Sequence, residues 1–154
     1  LAENEGYLVA NLVTYVAMKE RGAEFGLPAE MLAKNDLVLE AGYRSLEICE
    51  AAGVKVAYGS DLLGALGEEQ SREFRIRGEV QSPITVVRAA TTIAAEVVRR
   101  PGRLGTIAPD AWADLIIVDG DPLKDLSLLE NQGAHLAAIM KGGQFHKNRL
   151  GSVE

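Results

Sequence analysis

The residues best suited to chemistry follow a short apolar run near the middle of the chain. Gly59, Ser60 and Asp61 end the run at residues 54–58, whose composition is typical of a buried strand. A carboxylate that stands where a buried strand enters a loop, beside a glycine that lets the backbone turn, occupies the position where α/β enzymes place reacting groups. A simple strand-ending turn is the competing interpretation. Asp61 is therefore a candidate catalytic residue, and the elements around it must position it.

Two apolar stretches flank a helical pattern in the first half of the chain. Residues 7–13 and residues 54–59 each form a nearly continuous apolar run, as strands covered on both faces do. Between them, residues 29–52 place apolar side chains at helical spacing, with interruptions near Asn35 and Gly42, and Gly53 follows as a carboxy-terminal cap. A helix between two apolar strands predicts a βαβ unit with parallel strands and a right-handed crossover.

The second half of the chain changes period near residue 102. Ser82 and Pro83 predict the start of a helix that runs through Val97 and stops at residues 99–102. Beyond it, turn residues separate short strands, which we predict at residues 104–107, 113–118, 136–141 and 144–147. We therefore expect one domain over residues 1–102 and a small β unit over residues 103–154.

Composition and charge exclude several classes of function. The chain has 154 residues, 47% of them apolar and 25% charged, and its net charge is -6, so we expect a soluble globular protein that binds no nucleic acid. The arginines at positions 72, 75 and 77 alternate with glutamates and predict a solvated helix face. No apolar run reaches the length of a membrane span. We expect a cytoplasmic location, with a signal peptide left open because the sequence opens without methionine.

Residues that often bind metals are scattered rather than clustered. Cys49 is the only cysteine, so there is no cysteine-based zinc motif, and a small buried thiol is the better interpretation. His135 and His146 match no metal-binding spacing, and we expect both on the surface. The aspartates around residue 120 invite a calcium interpretation, but a tight turn at Asp119–Pro122 explains them, and the EF-hand ligand order is not met. Because a zinc centre needs about three protein ligands, this chain is not expected to hold an active metal alone.

Three stretches of the sequence resemble one known family. Residues 52–61, 89–96 and 104–123 are similar to the carboxy-terminal portion of the amidohydrolase superfamily, in particular to its imidazolonepropionase-like and prolidase-like or Xaa-Pro dipeptidase-like members. Residues 136–147 resemble the closing strand pair of that family. The resemblance implies an α/β fold, namely the last two βα units of a metal-dependent (β/α)8 barrel plus the carboxy-terminal part of a small β-sandwich. Residues 7–13 would be the seventh barrel strand, and residues 54–59 the eighth.

The resemblance also implies how the site is composed. Asp61 corresponds to the aspartate of the eighth strand, which would coordinate a divalent metal, with zinc expected, and accept a proton from the attacking water. The other ligands, mainly histidines, come from earlier strands that are absent from this sequence. Further residues would face the mouth of the barrel and either line a substrate pocket or pack as ordinary loop side chains: Asn11, Tyr15, Leu62 and Leu63. Asp110 departs from the family pattern, where a glycine is usual.

Two functions remain open at this point. The first is the carboxy-terminal part of a metal-dependent amidohydrolase that cleaves amide or peptide bonds, with dipeptides or N-acyl amino acids as substrates. It would be inactive without the missing barrel strands, which an upstream segment or a second chain with the histidine ligands would supply. The alternative is a non-catalytic fragment or assembly module that folds through partner strands, since a barrel cut between strands exposes a parallel edge. Both hypotheses predict an oligomer or a partner chain.

Overall fold

The computed structural model describes residues 6–151, and in this range two strands and five α-helices precede a final antiparallel sheet. The elements are β1 (Tyr7–Ala10), α1 (Leu12–Arg21), α2 (Ala29–Ala51), β2 (Lys55–Tyr58), a 3-10 helix (Gly64–Arg72), α3 (Glu73–Gly78), α4 (Pro83–Ala90), α5 (Thr92–Val97), β3 (Leu115–Val118), two short 3-10 turns (Leu126–Leu129 and Asn131–Gly133), β4 (Leu136–Lys141) and β5 (Gln144–Asn148).

The predicted parallel pairing is confirmed. Strands β1 and β2 run parallel, from the pair Tyr7 and Lys55 to the pair Ala10 and Tyr58. The prediction of a strand over residues 7–13 is wrong at its end, because Leu12 and Val13 open helix α1. A continuous apolar run does not distinguish a strand from a buried helix turn, and both side chains are buried as helical residues.

Helix α2 is a single helix of 23 residues, so the predicted interruptions near Asn35 and Gly42 are wrong. Asn35 is buried, and its side-chain amide donates a 2.8 Å hydrogen bond to the carbonyl of Tyr15 on α1. A Cβ added at Gly42 would come within 2.5 Å of the Leu12 side chain. Both residues therefore serve the close contact between α1 and α2 rather than a break. Gly53 follows the helix with φ of +68°, as predicted for its cap.

The arginine-rich segment is not the solvated face that its charges predict. Arg72 and Arg75 keep part of their side chains in solvent, but Arg77 and Glu73 are fully buried in α3. They lie next to a core cluster that includes Val13, Leu46 and other residues of β1, α1, α2 and β2. The prediction from alternating arginine and glutamate was wrong because residues four apart on a helix share a face, and that face can meet either solvent or protein.

The helix predicted from Pro83 to Val97 is present as two helices. Ser82 caps α4 as predicted, since its side chain accepts a hydrogen bond from the Thr85 amide at 3.4 Å. The helix is interrupted at Thr91, whose backbone angles are not helical, and α5 begins at Thr92. Gly105 packs against this break, where a Cβ would come within 2.3 Å of the Thr91 carbonyl oxygen.

The β unit is an antiparallel sheet in the order β3-β4-β5. Strands β4 and β5 and the Gly142 turn are confirmed, whereas residues 104–107 form no strand and contribute only an isolated bridge at Leu104. Asp110 has φ of +66°, so it keeps the backbone conformation that a glycine would adopt most easily. The domain boundary near residue 102 stays a prediction. Between residues 6 and 151, no helix combines the length and the apolar character needed to cross a membrane.

Candidate active site

The carboxyl ends of β1 and β2 lie side by side, which brings Asn11, one of the residues predicted for the site, against Gly59 in the loop that leads to Asp61. Because the strands are parallel and Ala10 pairs with Tyr58, Asn11 and Gly59 follow at the same edge. The side chain of Asn11 lies against Gly59, where a Cβ would come within 2.2 Å of Asn11 Oδ1. Any other residue at position 59 would displace the Asn11 side chain, so glycine has a steric reason to be there.

Asp61 stands two residues further on, exposed and in a left-handed backbone conformation. Its φ is +51°, a region that aspartate tolerates better than most residues with a side chain. The loop is held from α1, because the Thr14 hydroxyl donates a hydrogen bond to the carbonyl of Ser60. The carboxylate of Asp61 is thus carried on a restrained backbone at the edge where the two strands end.

The remaining predicted site residues divide between core and solvent. Tyr15 and Leu62 are half-buried and pack against the core cluster beside β1 and β2. Leu63 is 83% exposed. Asn11 therefore lies at the strand edge, Asp61 and Leu63 are exposed in the loop after β2, and Tyr15 and Leu62 pack against the core.

A buried polar network supports this edge, and the sequence did not reveal it. The Val13 amide, at the start of α1, donates a 2.6 Å hydrogen bond to Glu73 Oε2. Arg77 donates to the carbonyl of Ala57 on β2 at 3.2 Å, and to Gln81 Oε1 at 2.9 Å. Helix α3 thus contacts the backbone at the start of α1 and on β2. The only sequence signal was the four-residue spacing of Glu73 and Arg77, which exposed pairs share.

Burial dominates the electrostatics of the network. Desolvation raises the pKa of Glu73 to about 7, while the hydrogen bonds from the Val13 and Leu12 amides and the charge of Arg77 act in the opposite direction. Desolvation likewise lowers the pKa of Arg77 from its usual value. The pKa of the neighbouring Tyr58 is raised, first by burial and then by the charge of Glu73. Glu73, whose pKa is raised to about 7, is therefore the group of this network that titrates near neutral pH.

The described residues do not make a metal centre by themselves. Across residues 6–151, no three side chains of His, Cys, Asp or Glu lie close enough together to hold an ion. His135 and His146 are both exposed in the β unit, as predicted. Asp61 could supply one oxygen ligand, but a zinc site takes about three protein ligands. Ligands from outside these residues would be needed.

A cavity lies elsewhere, between α4, residues 105–107 and the antiparallel sheet. It has a volume of about 680 Å³, and apolar side chains such as Val87, Ile116 and Ile139 form most of its lining. None of the predicted site residues lines it. The candidate site is therefore the open edge of the parallel strands rather than this cavity.

Comparison with known proteins identifies the family of this arrangement. The model of the amidohydrolase family matches residues 3–144, which is most of the chain. The chain belongs to the amidohydrolase family. Members of this family are generally metal-dependent hydrolases, and the mixed α/β fold expected from the resemblance is confirmed. A comparison with curated protein sequences gives no match.

Solved structures show which amidohydrolases are similar. An amidohydrolase with 46% identity superposes with a TM-score of 0.91 over 97% of this chain. A prolidase in complex with N-methylphosphonate-L-proline has 46% identity and a TM-score of 0.89 over 95% of the chain. A Xaa-Pro dipeptidase with bound methionine in its active site has 25% identity and a TM-score of 0.78 over 95% of the chain. In each case the chain spans 36% of the relative's length.

Proposed function

We propose that this chain is the carboxy-terminal part of a metal-dependent amidohydrolase that cleaves the peptide bond of dipeptides, with proline on the carboxyl side as the preferred substrate class. The observation that carries the proposal is the shared edge of β1 and β2, where Asn11 and Asp61 stand on restrained backbone. A carboxylate in a left-handed conformation at the carboxyl end of a parallel strand is typical of a functional site. N-acyl amino acids are the other substrates that fit the same chemistry.

Asp61 would act as the proton acceptor. A water molecule attacks the carbonyl carbon of the scissile bond as the Asp61 carboxylate takes its proton, and the proton then passes to the nitrogen as the carbon–nitrogen bond breaks. A divalent metal, for which we propose zinc, would supply Lewis acidity at the carbonyl when it is bound. Asn11 would contact the substrate from the neighbouring strand end, and Leu63 would border the entrance.

The choice of substrate class follows from the similar structures. One of them is a prolidase bound to a phosphonate that carries L-proline, at 46% identity to this chain. A second, more distant one is a Xaa-Pro dipeptidase. Identity of 46% over almost the whole chain supports a common reaction, and we propose that the substrate class is shared as well.

A partner that supplies further strands is part of the proposal. The parallel sheet described has only β1 and β2, so each strand has one edge without a neighbouring strand in residues 6–151. Val9 on β1 is 46% exposed although it is a strand valine. Buried backbone groups without partners cost about 1 to 3 kcal/mol each. An upstream barrel segment or a second chain with the histidine ligands would cover these edges and complete the site.

Reconstitution tests the proposal directly. The chain would be combined with the upstream barrel segment and zinc, and hydrolysis of Ala-Pro, Ala-Ala and N-acetyl-alanine would be followed by release of the free amino acid. We expect hydrolysis only when both parts are present, with Ala-Pro cleaved fastest. Cleavage of Ala-Ala at the rate of Ala-Pro would remove the proline preference. Inactivity towards all three in a correctly assembled complex would favour the non-catalytic assembly module.

A further inference from the structure

Helix α3 buries two ionisable residues, Glu73 and Arg77, at positions where leucine would serve stability equally well. Glu73 and Arg77 both have no exposed surface, and Ile76 between them is 2% exposed. Burying ionisable side chains is costly unless each is hydrogen-bonded, and apolar residues of similar size are often at least as stabilising. The contacts of the pair therefore indicate what else it does.

Glu73 caps a helix that lies sixty positions earlier in the chain. The first backbone amides of a helix have no partner within the helix, and a carboxylate is favoured there by the helix dipole. The Val13 amide, second in α1, donates its hydrogen bond to Glu73 Oε2 at 2.6 Å. The fully buried Glu73 thus satisfies the start of α1 from a neighbouring helix.

Glu73 takes the capping role that the N-cap residue of α1, Asn11, would ordinarily have. Asn11 stands at the N-cap position of α1, and asparagine is among the preferred N-cap residues. Its side chain nevertheless makes no capping hydrogen bond, and within residues 6–151 its Oδ1 has no hydrogen-bond partner. It lies against Gly59 instead, across the gap between the two strand ends. The contact made by Glu73 thus leaves Asn11 directed at the edge that carries Asp61.

We propose that Glu73 is a positioning residue, which caps α1 from α3 and so keeps the Asn11 side chain at the substrate edge instead of at the helix start. This inference rests on the proposed function, because it assigns the network a task in that site. Arg77 holds the other side of the edge through the Ala57 carbonyl. Loss of the Glu73 acceptor should let Asn11 rotate to cap α1, which withdraws it from Gly59.

Kinetics of single and double variants in the assembled enzyme test the positioning role. Glu73→Leu removes the acceptor at similar volume, and we expect kcat/KM for Ala-Pro to fall on the order of 10²-fold, the scale of a displacement near 1 Å. Glu73→Gln keeps an acceptor oxygen and should restore most of the loss. In Asn11→Ala, adding Glu73→Leu should cost little more, since the first change already removes the group through which Glu73 acts.

The matched control is Ile76→Ala on the same helix. It destabilises the same core without removing a hydrogen bond of the network, so kcat/KM should stay at the wild-type value once rates are normalised to folded protein. Equal kinetic losses in Glu73→Leu and Ile76→Ala, or losses from Glu73→Leu and Asn11→Ala that simply multiply, would overturn the positioning role.

A spectroscopic measurement separates this inference from the proposed function. In the nitrogen-15 NMR spectrum of the full chain, the Val13 amide proton should shift in Glu73→Leu and stay near its wild-type position in Glu73→Gln. A Val13 signal that is indifferent to both changes would refute the capping contact whatever the activity. A wild-type enzyme that is inactive in the assembled state would overturn the proposed function and the positioning role together, while the Val13 signal still reports on the cap.

Discussion

The helices packed around the parallel strands are buried more completely than the strands of the antiparallel sheet. Around β1 and β2, helices α1, α2 and α3 bury Val13, Leu46 and even the charged Arg77 completely. In the antiparallel sheet, Ile116 and Phe145 are each 49% exposed, and Ala138 is the strand residue that is fully buried. The parallel part therefore has a packed interior that can hold a site rigidly, whereas the antiparallel part presents apolar faces to solvent or to chain outside the described residues.

The difference should appear most strongly when a buried charge loses its partner. Arg77→Met removes the hydrogen bond to the Ala57 carbonyl and leaves Glu73 buried without its positive neighbour, so we expect a loss of about 3 to 5 kcal/mol in the free energy of unfolding at pH 8. Arg88→Met changes an exposed arginine on α4 and should stay within about 0.5 kcal/mol. Urea unfolding of both variants measures the contrast. Equal losses would mean that burial of Arg77 is not a feature of the folded chain in solution.

Truncation of apolar side chains should rank the two sheets in the same order. Leu46 is fully buried against β1 and β2, and Leu46→Ala should cost about 2 to 5 kcal/mol. Ile116→Ala on β3 removes a half-exposed side chain and should cost about 1 kcal/mol or less. The midpoints of urea denaturation at equal protein concentration give the comparison. A larger loss for Ile116→Ala would show that the antiparallel sheet is covered, for example in an oligomer.

The pH dependence of stability should report the buried carboxyl of the parallel part. Burial raises the pKa of Glu73 from 4.5 to about 7, so the folded state holds its proton more tightly than the unfolded state does. The resulting stabilisation is complete below pH 4.5 and is lost as the pH rises through 7. Burial also raises the pKa of Tyr43, to about 12, which lies outside this window.

Subtraction isolates this contribution. The difference in unfolding free energy between the wild type and Glu73→Gln should decrease between pH 4.5 and pH 7 and then remain level. A difference that rises with pH would place the Glu73 pKa below its ordinary value and contradict the burial.

The smallest expected change in stability comes from Ser82, the N-cap of α4, which lies between the two sheets in the sequence. Ser82→Ala removes the side-chain acceptor for the Thr85 amide at the start of α4 and should cost about 1 kcal/mol or less. Ser82→Gly should cost only about a few tenths of a kcal/mol, since glycine is tolerated at the N-cap position. Thermal unfolding can measure both variants side by side. If Ser82→Gly were the more harmful change, backbone freedom rather than capping would be the main contribution of this residue.

The sequence predicted the elements whose signals are local. Gly53, Ser82 and the Gly142 turn act through their own backbone or their immediate neighbours, and all three were predicted correctly. The apolar runs of β1 and β2 predicted parallel strands, because nearly continuous apolar runs are typical of parallel sheets. The family resemblance, carried by the motif that ends at Asp61, was confirmed as well.

The sequence did not predict features that depend on distant partners. Helix α1 was missed because Leu12 and Val13 continue the apolar run of β1, and its start is capped by Glu73 from another part of the chain. The burial of Arg77 was missed for the same reason, since its acceptor on Ala57 is twenty residues away. The roles of Asn11, Tyr15, Leu62 and Leu63 in substrate binding stay predictions.

The activity of Asp61→Asn in the assembled enzyme tests whether Asp61 is the proton acceptor, with Asp110→Asn as its matched control. Both aspartates are exposed and have positive φ, and asparagine tolerates that conformation, so neither change should disturb the fold. We expect Asp61→Asn to lower kcat for Ala-Pro hydrolysis on the order of 10² to 10⁴-fold and Asp110→Asn to keep the wild-type rate. An undiminished rate in Asp61→Asn would show that this carboxylate is not the proton acceptor.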